Sequence, residues 1–179
     1  MPMSARYSRP AIALHWITLL LIVVVYAAME FKDLFPKDSP ERALTRMLHA
    51  SCGLTILALT VARLCLRPLN RIPDIVPPPA KWERISAGLM HVALYTLLII
   101  LPLLAWFAIS ARGGTPQVWG FALPALTGED KALAKSVMDA HRLIANIGYA
   151  LIGLHVLAAL KHHYISRDNT LRRMLPSRA

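Results

Sequence analysis

The chain has 179 residues, of which 56% are hydrophobic and 17% charged, and its mean hydropathy is +0.47. These values exclude an ordinary soluble domain, in which about a quarter of the residues are charged. The net charge of +10 would suggest nucleic-acid binding, but the basic residues flank apolar blocks and no nucleic-acid-reading motif is present. The composition therefore predicts a membrane protein, in contact with lipid and without a nucleic-acid partner.

Four apolar blocks follow one another, at about residues 11–29, 47–66, 85–110 and 141–164. Each is long enough to cross the bilayer core, which takes about 20 residues of α-helix. The first block is longer than the apolar part of a signal peptide and contains His15 and Trp16, so we interpret it as a retained helix. The predicted fold is all-α, an integral membrane four-helix bundle that forms one domain over residues 1–179.

Two loops contain helix start signals that lie outside the membrane. Ser39 and Pro40, followed by Glu41, form a typical capped first turn ahead of the second block. The sequence "TGED" at residues 127–130 resembles a second such start. We therefore expect the fourth helix to begin well before His141.

The basic residues are divided unequally between the two sides of the predicted bundle. The N-terminal tail, the loop between the second and third blocks and the C-terminal tail together carry twelve basic and three acidic residues. The other loops carry eight basic and seven acidic residues. Because cytoplasmic loops of membrane proteins are enriched in Lys and Arg, both termini are predicted to be cytoplasmic.

Four histidines within the blocks match in depth. His49 and His141 lie near the outer end of the second and fourth blocks, whereas His15 and His155 lie at the inner level. The fourteen residues from His141 to His155 span about 21 Å and nearly four helical turns, so both side chains share one face, with Gly148 midway between them. Two histidines at one depth on different helices are the arrangement of an axially bis-histidine haem, and we interpret Gly148 as the space where two porphyrins approach.

Other interpretations of these residues remain open. A membrane histidine often just forms a hydrogen bond between helices, and metal transporters also use histidines, although Glu30 is the one carboxylate near these spans. His91 has no partner at its depth, so a hydrogen bond to a neighbouring helix or to a propionate suffices for it. Arg46 and Arg142, beside the outer pair, are candidate propionate partners or solvated cations.

His162 is a candidate contact for a quinone head group. It lies seven residues after His155, close to the same helical stripe and at the cytoplasmic rim, where an imidazole can donate to a quinone carbonyl. His163 is turned about 100° away. The alternative is a solvated pair of histidines that interact with the end of the helix.

Several segments resemble one known family. The segments are "YSRPAIALHW", "AMEFKDLFP", "LHASCG", "NIGYALIGLHVLAALKHHY" and "DNTLRRMLP". Together they resemble the bacterial cytochrome b561 family of two-haem, four-helix proteins of the inner membrane, whereas the middle loops match more loosely. The resemblance implies two haem b groups ligated by His15, His49, His141 and His155. It also implies that superoxide outside the membrane supplies electrons that reduce ubiquinone.

Three functions are compatible with the sequence. The first is a superoxide:ubiquinone oxidoreductase, for which local positive charge near the outer haem would attract the anion. The candidate cations are Lys32, Lys37, Arg42, Arg46, Arg112 and Lys131. The second is an electron-transfer subunit between quinol and a periplasmic redox protein, and the third a histidine-lined metal transporter. No nicotinamide or flavin fingerprint is present, and the sequence assigns no catalytic residue.

Overall fold

A computed structural model describes residues 6–69 and 72–176, so the outermost residues of the predicted domain lie outside the described part. Its long helices are α1 (Arg9–Glu30), α2 (Pro40–Leu66), α3 (Lys81–Ala111) and α4 (Lys131–Tyr164). Each contains an apolar stretch long enough to cross a membrane. The predicted all-α membrane bundle is thus confirmed. An even number of spans places both ends of the described chain on the same side.

The helix start signals behave as the sequence predicts. The Ser39 hydroxyl accepts a hydrogen bond from the N–H of Arg42 at 3.2 Å, so α2 begins well before its apolar block. The Asp130 carboxylate accepts from the N–H of Leu133 at 2.9 Å, and α4 begins ten residues before His141. With these extensions α2 has 27 residues and α4 has 34, more than the about 20 that cross a bilayer core.

The helices run up and down in sequence order. α1 packs mainly against α2, α3 packs mainly against α4, and α2 and α3 join the two pairs. Near the middle of the bundle, the Tyr26 hydroxyl of α1 donates to the carbonyl of Ala145 in α4 at 2.9 Å. This bond ties the first helix to the last.

The loop between α3 and α4 contains a small hairpin that the sequence analysis did not predict. Its strands are β1 (Gln117–Val118) and β2 (Phe121–Ala122), joined by Trp119 and Gly120 with φ of 50° and 86°. Two positive φ values are typical of the tight hairpin turn whose twist suits β-strands. The N–H of Trp119 donates to Ser51 Oγ at 2.9 Å, and its indole donates to Thr55 Oγ1 at 3.0 Å. The hairpin therefore lies against α2 just below the level of His49.

A cap closes the inner end of the bundle. We define the cytoplasmic cap as Tyr7, residues 73–76 and residues 166–175. The Asn169 side chain accepts from the N–H of Val76 at 2.9 Å, and the Arg173 guanidinium donates to the carbonyl of Pro73. The Trp16 indole donates to the carbonyl of Met174 at 2.7 Å. These bonds hold the C-terminal segment against α1 and the loop between α2 and α3.

Candidate functional site

The outer level holds His49 and His141, which face each other across the bundle. Their ring centroids are 6.2 Å apart. His49 Nδ1 lies 3.0 Å from the carbonyl oxygen of Val25, and His141 Nδ1 lies 3.0 Å from that of Leu101. Because a carbonyl only accepts, each Nδ1 carries the proton, which leaves both Nε2 atoms with a free lone pair for a metal.

The inner level holds three histidines instead of two. The ring centroids of His15 and His155 are 6.4 Å apart, and those of His91 and His155 are 5.7 Å apart. His15 Nδ1 lies 3.5 Å from a guanidinium nitrogen of Arg63, a donor group where the outer histidines meet carbonyl acceptors. His15 therefore has a cation beside its Nδ1, where His49 and His141 have carbonyl oxygens.

A cavity of about 550 Å³ opens at the inner level, a size that is usual for cofactor sites. His15, His91 and His155 lie in its wall among mostly apolar side chains. The charged residues in the described wall are Arg63, Arg67 and Arg173, and no Asp or Glu is among them. The cavity thus suits a large apolar molecule that carries negative charge.

The described residues fit axially ligated haem. Two axial bonds of about 2 Å to one iron, added to the radius of each imidazole, place the two ring centres about 6 Å apart. The His49–His141 and His15–His155 pairs match, at 6.2 Å and 6.4 Å, and the His91–His155 pair, at 5.7 Å, lies equally close to this value. Arg173 also lines the inner cavity, and its buried Nε lacks a partner within the described chain. Donor set and spacing therefore agree with haem at both levels, and the cavity provides space at the inner level.

The predicted propionate partners lie on the outer surface. Arg142 pairs with Asp139 at 3.0 Å, and both side chains are exposed. Arg46 is exposed as well. Their role toward a propionate stays a prediction, and Arg142 would have to leave Asp139 to perform it.

His162 lies at the cytoplasmic rim, as expected from its position on α4, but it is not in the wall of the inner cavity. Its Nδ1 lies 2.5 Å from the Asp168 carboxylate, which is buried in the cap. Burial alone would raise the pKa of Asp168, but the N–H of Thr170 and the His162 ring bond the carboxylate and hold its pKa below the ordinary value. The quinone contact stays a prediction, and His162 also anchors the cap.

Gly148 does not face an open gap between the two histidine levels. A Cβ at this position would collide with the Tyr26 hydroxyl and approach Leu97 to 3.3 Å. The glycine therefore admits Tyr26, which needs the space to reach the carbonyl of Ala145. This corrects the interpretation that Gly148 makes room for porphyrins.

The sequence analysis missed most of the inner cavity wall. Arg63 and Arg67 were counted only as cytoplasmic charges, and nothing was assigned to Thr170 or Arg173. The spacing of Arg63 and Arg67 at the inner end of an apolar helix was an available signal, since positions i and i+4 share a face. The cap residues gave no such signal because their placement depends on how the C-terminal segment folds back.

The fold and the site together define a multi-pass membrane protein of the cytochrome type, a helical bundle with paired histidines at two depths. A family model described as prokaryotic cytochrome b561 matches residues 6–177. Cytochrome b561 homolog 1 of Escherichia coli (strain K12) is 44% identical over 176 residues, which cover 97% of this chain and 98% of that relative. Probable superoxide oxidase CybB of Yersinia pestis is 35% identical, over 98% and 99% of the two chains.

The chain belongs to the prokaryotic cytochrome b561 family. It is accordingly an electron-transfer protein of the bacterial inner membrane, crosses that membrane several times, and has haem b as its cofactor.

Proposed function

We propose that the chain binds two haem b groups, one between His49 and His141 and one between His15 and His155. The observation that carries this proposal is the pair of ring separations, 6.2 Å and 6.4 Å, at two levels of one bundle. The distance of 5.7 Å between His91 and His155 fits the same geometry, so we assign His15 as the axial partner of His155 from the family resemblance and His91 as a neighbour of the inner site. Bound haem b supplies an iron that takes up and releases one electron.

We further propose that the protein oxidises superoxide at the outer side and reduces ubiquinone. Two superoxide ions give two electrons and two O₂ molecules, and ubiquinone takes up the two electrons and two protons to become ubiquinol. The name of the Yersinia pestis relative supports this substrate. Lys37, Arg46 and Arg112 form no ion pair within the described chain and can attract a small anion, whereas Lys32 and Arg42 pair with Asp33.

The protein's own groups prepare the site for this reaction. The carbonyls of Val25 and Leu101 fix the outer imidazoles in one tautomer and orientation, which removes an ordering cost at ligation. At the cytoplasmic rim, His162 is the candidate donor to a quinone carbonyl through the ring nitrogen that Asp168 leaves free.

Rapid mixing of the purified oxidised protein with superoxide tests the proposed substrate. We expect reduced b-type bands to appear quickly, to be prevented by prior addition of superoxide dismutase, and to fade when ubiquinone is added. Protein that resists superoxide but is reduced by ubiquinol would contradict the proposal. That result would favour the alternative function, a subunit that passes electrons from quinol to a periplasmic redox protein.

Reoxidation of the reduced protein by ubiquinone tests the role of His162. We expect His162→Ala to slow reoxidation while reduction by superoxide stays unchanged and both haems remain bound. Asp168→Asn is the matched control, because it weakens the anchor of the cap but keeps the imidazole. Equal slowing in both variants would assign the effect to the cap and would remove the quinone contact.

A further inference from the structure

The C-terminal segment contributes Thr170 and Arg173 to the wall of the inner cavity. Nε of Arg173 is buried without a hydrogen-bond partner in the described chain, whereas the Thr170 hydroxyl also interacts with the Asp168 carboxylate. Arg173 is only 5% exposed. A buried donor without an acceptor is costly, and native structures contain few of them. The guanidinium of Arg173 therefore has donor capacity left for a ligand that accepts hydrogen bonds.

The other contacts of Arg173 fix its guanidinium in place. One terminal nitrogen donates to the carbonyl of Pro73, and the group lies over the ring of Tyr7, 5.5 Å from its centroid. The backbone carbonyl of Arg173 also accepts from the N–H of Tyr7 at 3.1 Å. The side chain is thus held by contacts within the cap, and Arg173 lines the cavity from that position.

The charge of the cavity specifies the ligand. The described wall contains three guanidinium groups, from Arg63, Arg67 and Arg173, and no carboxylate to neutralise them. The remaining wall is largely apolar. The matching ligand has a large apolar body and a carboxylate, because a carboxylate accepts charge-assisted bonds from a guanidinium.

We propose that Arg173 and Thr170 bind a propionate carboxylate of the inner haem. This inference rests on the proposed inner haem between His15 and His155. The C-terminal segment then holds the haem in the cavity. The residues that bind the propionate belong to the segment that Asp168 and Asn169 attach to the bundle by hydrogen bonds.

Haem release from the full-length protein to excess apomyoglobin tests the proposal. Arg173→Gln keeps an amide that can donate to Pro73, and Thr170→Val keeps the shape of the side chain without its hydroxyl. We expect Arg173→Gln to accelerate loss of one haem about tenfold, the usual effect of removing a charge-assisted bond, and Thr170→Val to accelerate it less. The matched control Arg172→Gln changes an exposed neighbour and should leave release unchanged.

Haem dimethyl ester, which lacks both carboxylates, separates propionate binding from stability of the cap. Reconstituted with this group, the wild-type protein should release the inner haem as fast as the variants, and the effect of Arg173→Gln should vanish. An equal acceleration with ester and free acid would overturn the proposal and leave Arg173 a structural residue. Wild-type protein that carries a single haem would contradict the proposed function itself.

Discussion

At the scale of single residues, His15 differs from the two outer histidines in the group that lies beside its Nδ1. His49 and His141 donate to backbone carbonyls, which makes each imidazole a stronger electron donor to a metal. His15 instead faces the guanidinium of Arg63. A nearby positive charge favours the reduced, less positive state of an iron centre. The surroundings therefore predict a higher reduction potential at the inner haem, so that electrons pass inward.

Substitution of Arg63 tests this order. Arg63→Gln removes a positive charge near the inner haem and should lower its midpoint potential by on the order of 50 mV. For one electron, about 60 mV corresponds to 1.4 kcal/mol. Spectroelectrochemical titration of the purified protein measures the midpoint potentials of both haems in one experiment. Arg84→Gln, at an exposed position on α3, is the control and should change neither potential. A variant with both potentials unchanged would contradict the electrostatic explanation.

The ligand assignment makes a second prediction at this scale. His49→Ala should remove or loosen the outer haem and leave the inner spectrum largely intact, while His15→Ala should do the reverse. His91→Ala should retain two haems, since His91 is a neighbour and not a ligand. Haem-to-protein ratios and low-temperature spectra give the answer. Loss of the same haem from the His15 and His49 variants would show that the pairing is wrong.

At the scale of elements, the hairpin β1–β2 is non-helical backbone beside a membrane helix. Such backbone is stable at that depth only when protein groups satisfy its N–H and C=O groups. Ser51, which is 1% exposed, and Thr55 provide this on α2 for Trp119. Two hydroxyl side chains in an apolar span thus have a structural use, which is to fasten the outer loop next to His49.

Removal of the Ser51 hydroxyl should loosen this loop. Ser51→Ala leaves the N–H of Trp119 without its acceptor and should destabilise the protein by about 1–3 kcal/mol. Thermal unfolding in detergent, with tryptophan fluorescence as the signal, measures the change. Ser136→Ala is the control, because that exposed hydroxyl only bonds the preceding turn of α4. An equal melting temperature for wild type and Ser51→Ala would show that the bond contributes nothing.

At the scale of the whole molecule, charge and topology agree. Four spans place both described ends of the chain on one side, and that side carries the excess of basic residues. The cytoplasmic cap and the three guanidinium groups of the inner cavity lie on the same side. The outer level and the hairpin then face the periplasm.

Reporter fusions test this orientation. A phosphatase that is active only in the periplasm should stay inactive when fused after Ala179, and should be active when inserted near Gly128 in the loop between α3 and α4. A fluorescent protein that matures only in the cytoplasm is the complementary control at both positions. Phosphatase activity from the C-terminal fusion would reverse the assignment of every loop.

The sequence by itself determined the features that depend only on the position of a residue along the chain and along its helix axis. Hydropathy defined the four spans because each has to match the bilayer thickness, and the start signals at Ser39 and Asp130 placed the ends of α2 and α4. The regular rise of an α-helix gave the depth of each histidine. The structure brings His49 to His141 and His15 to His155 at those depths.

Only the tertiary structure decided what depends on how helices rotate about their axes and how loops fold back. Depth alone does not say which way a side chain points, so it did not reveal that His91 and Arg63 face the same cavity as His155. Gly148 lies at the expected depth, but helix packing fills its space with Tyr26. Thr170 and Arg173 reach the cavity only because the C-terminal segment returns to bond Val76 and Pro73, contacts between residues far apart in the chain.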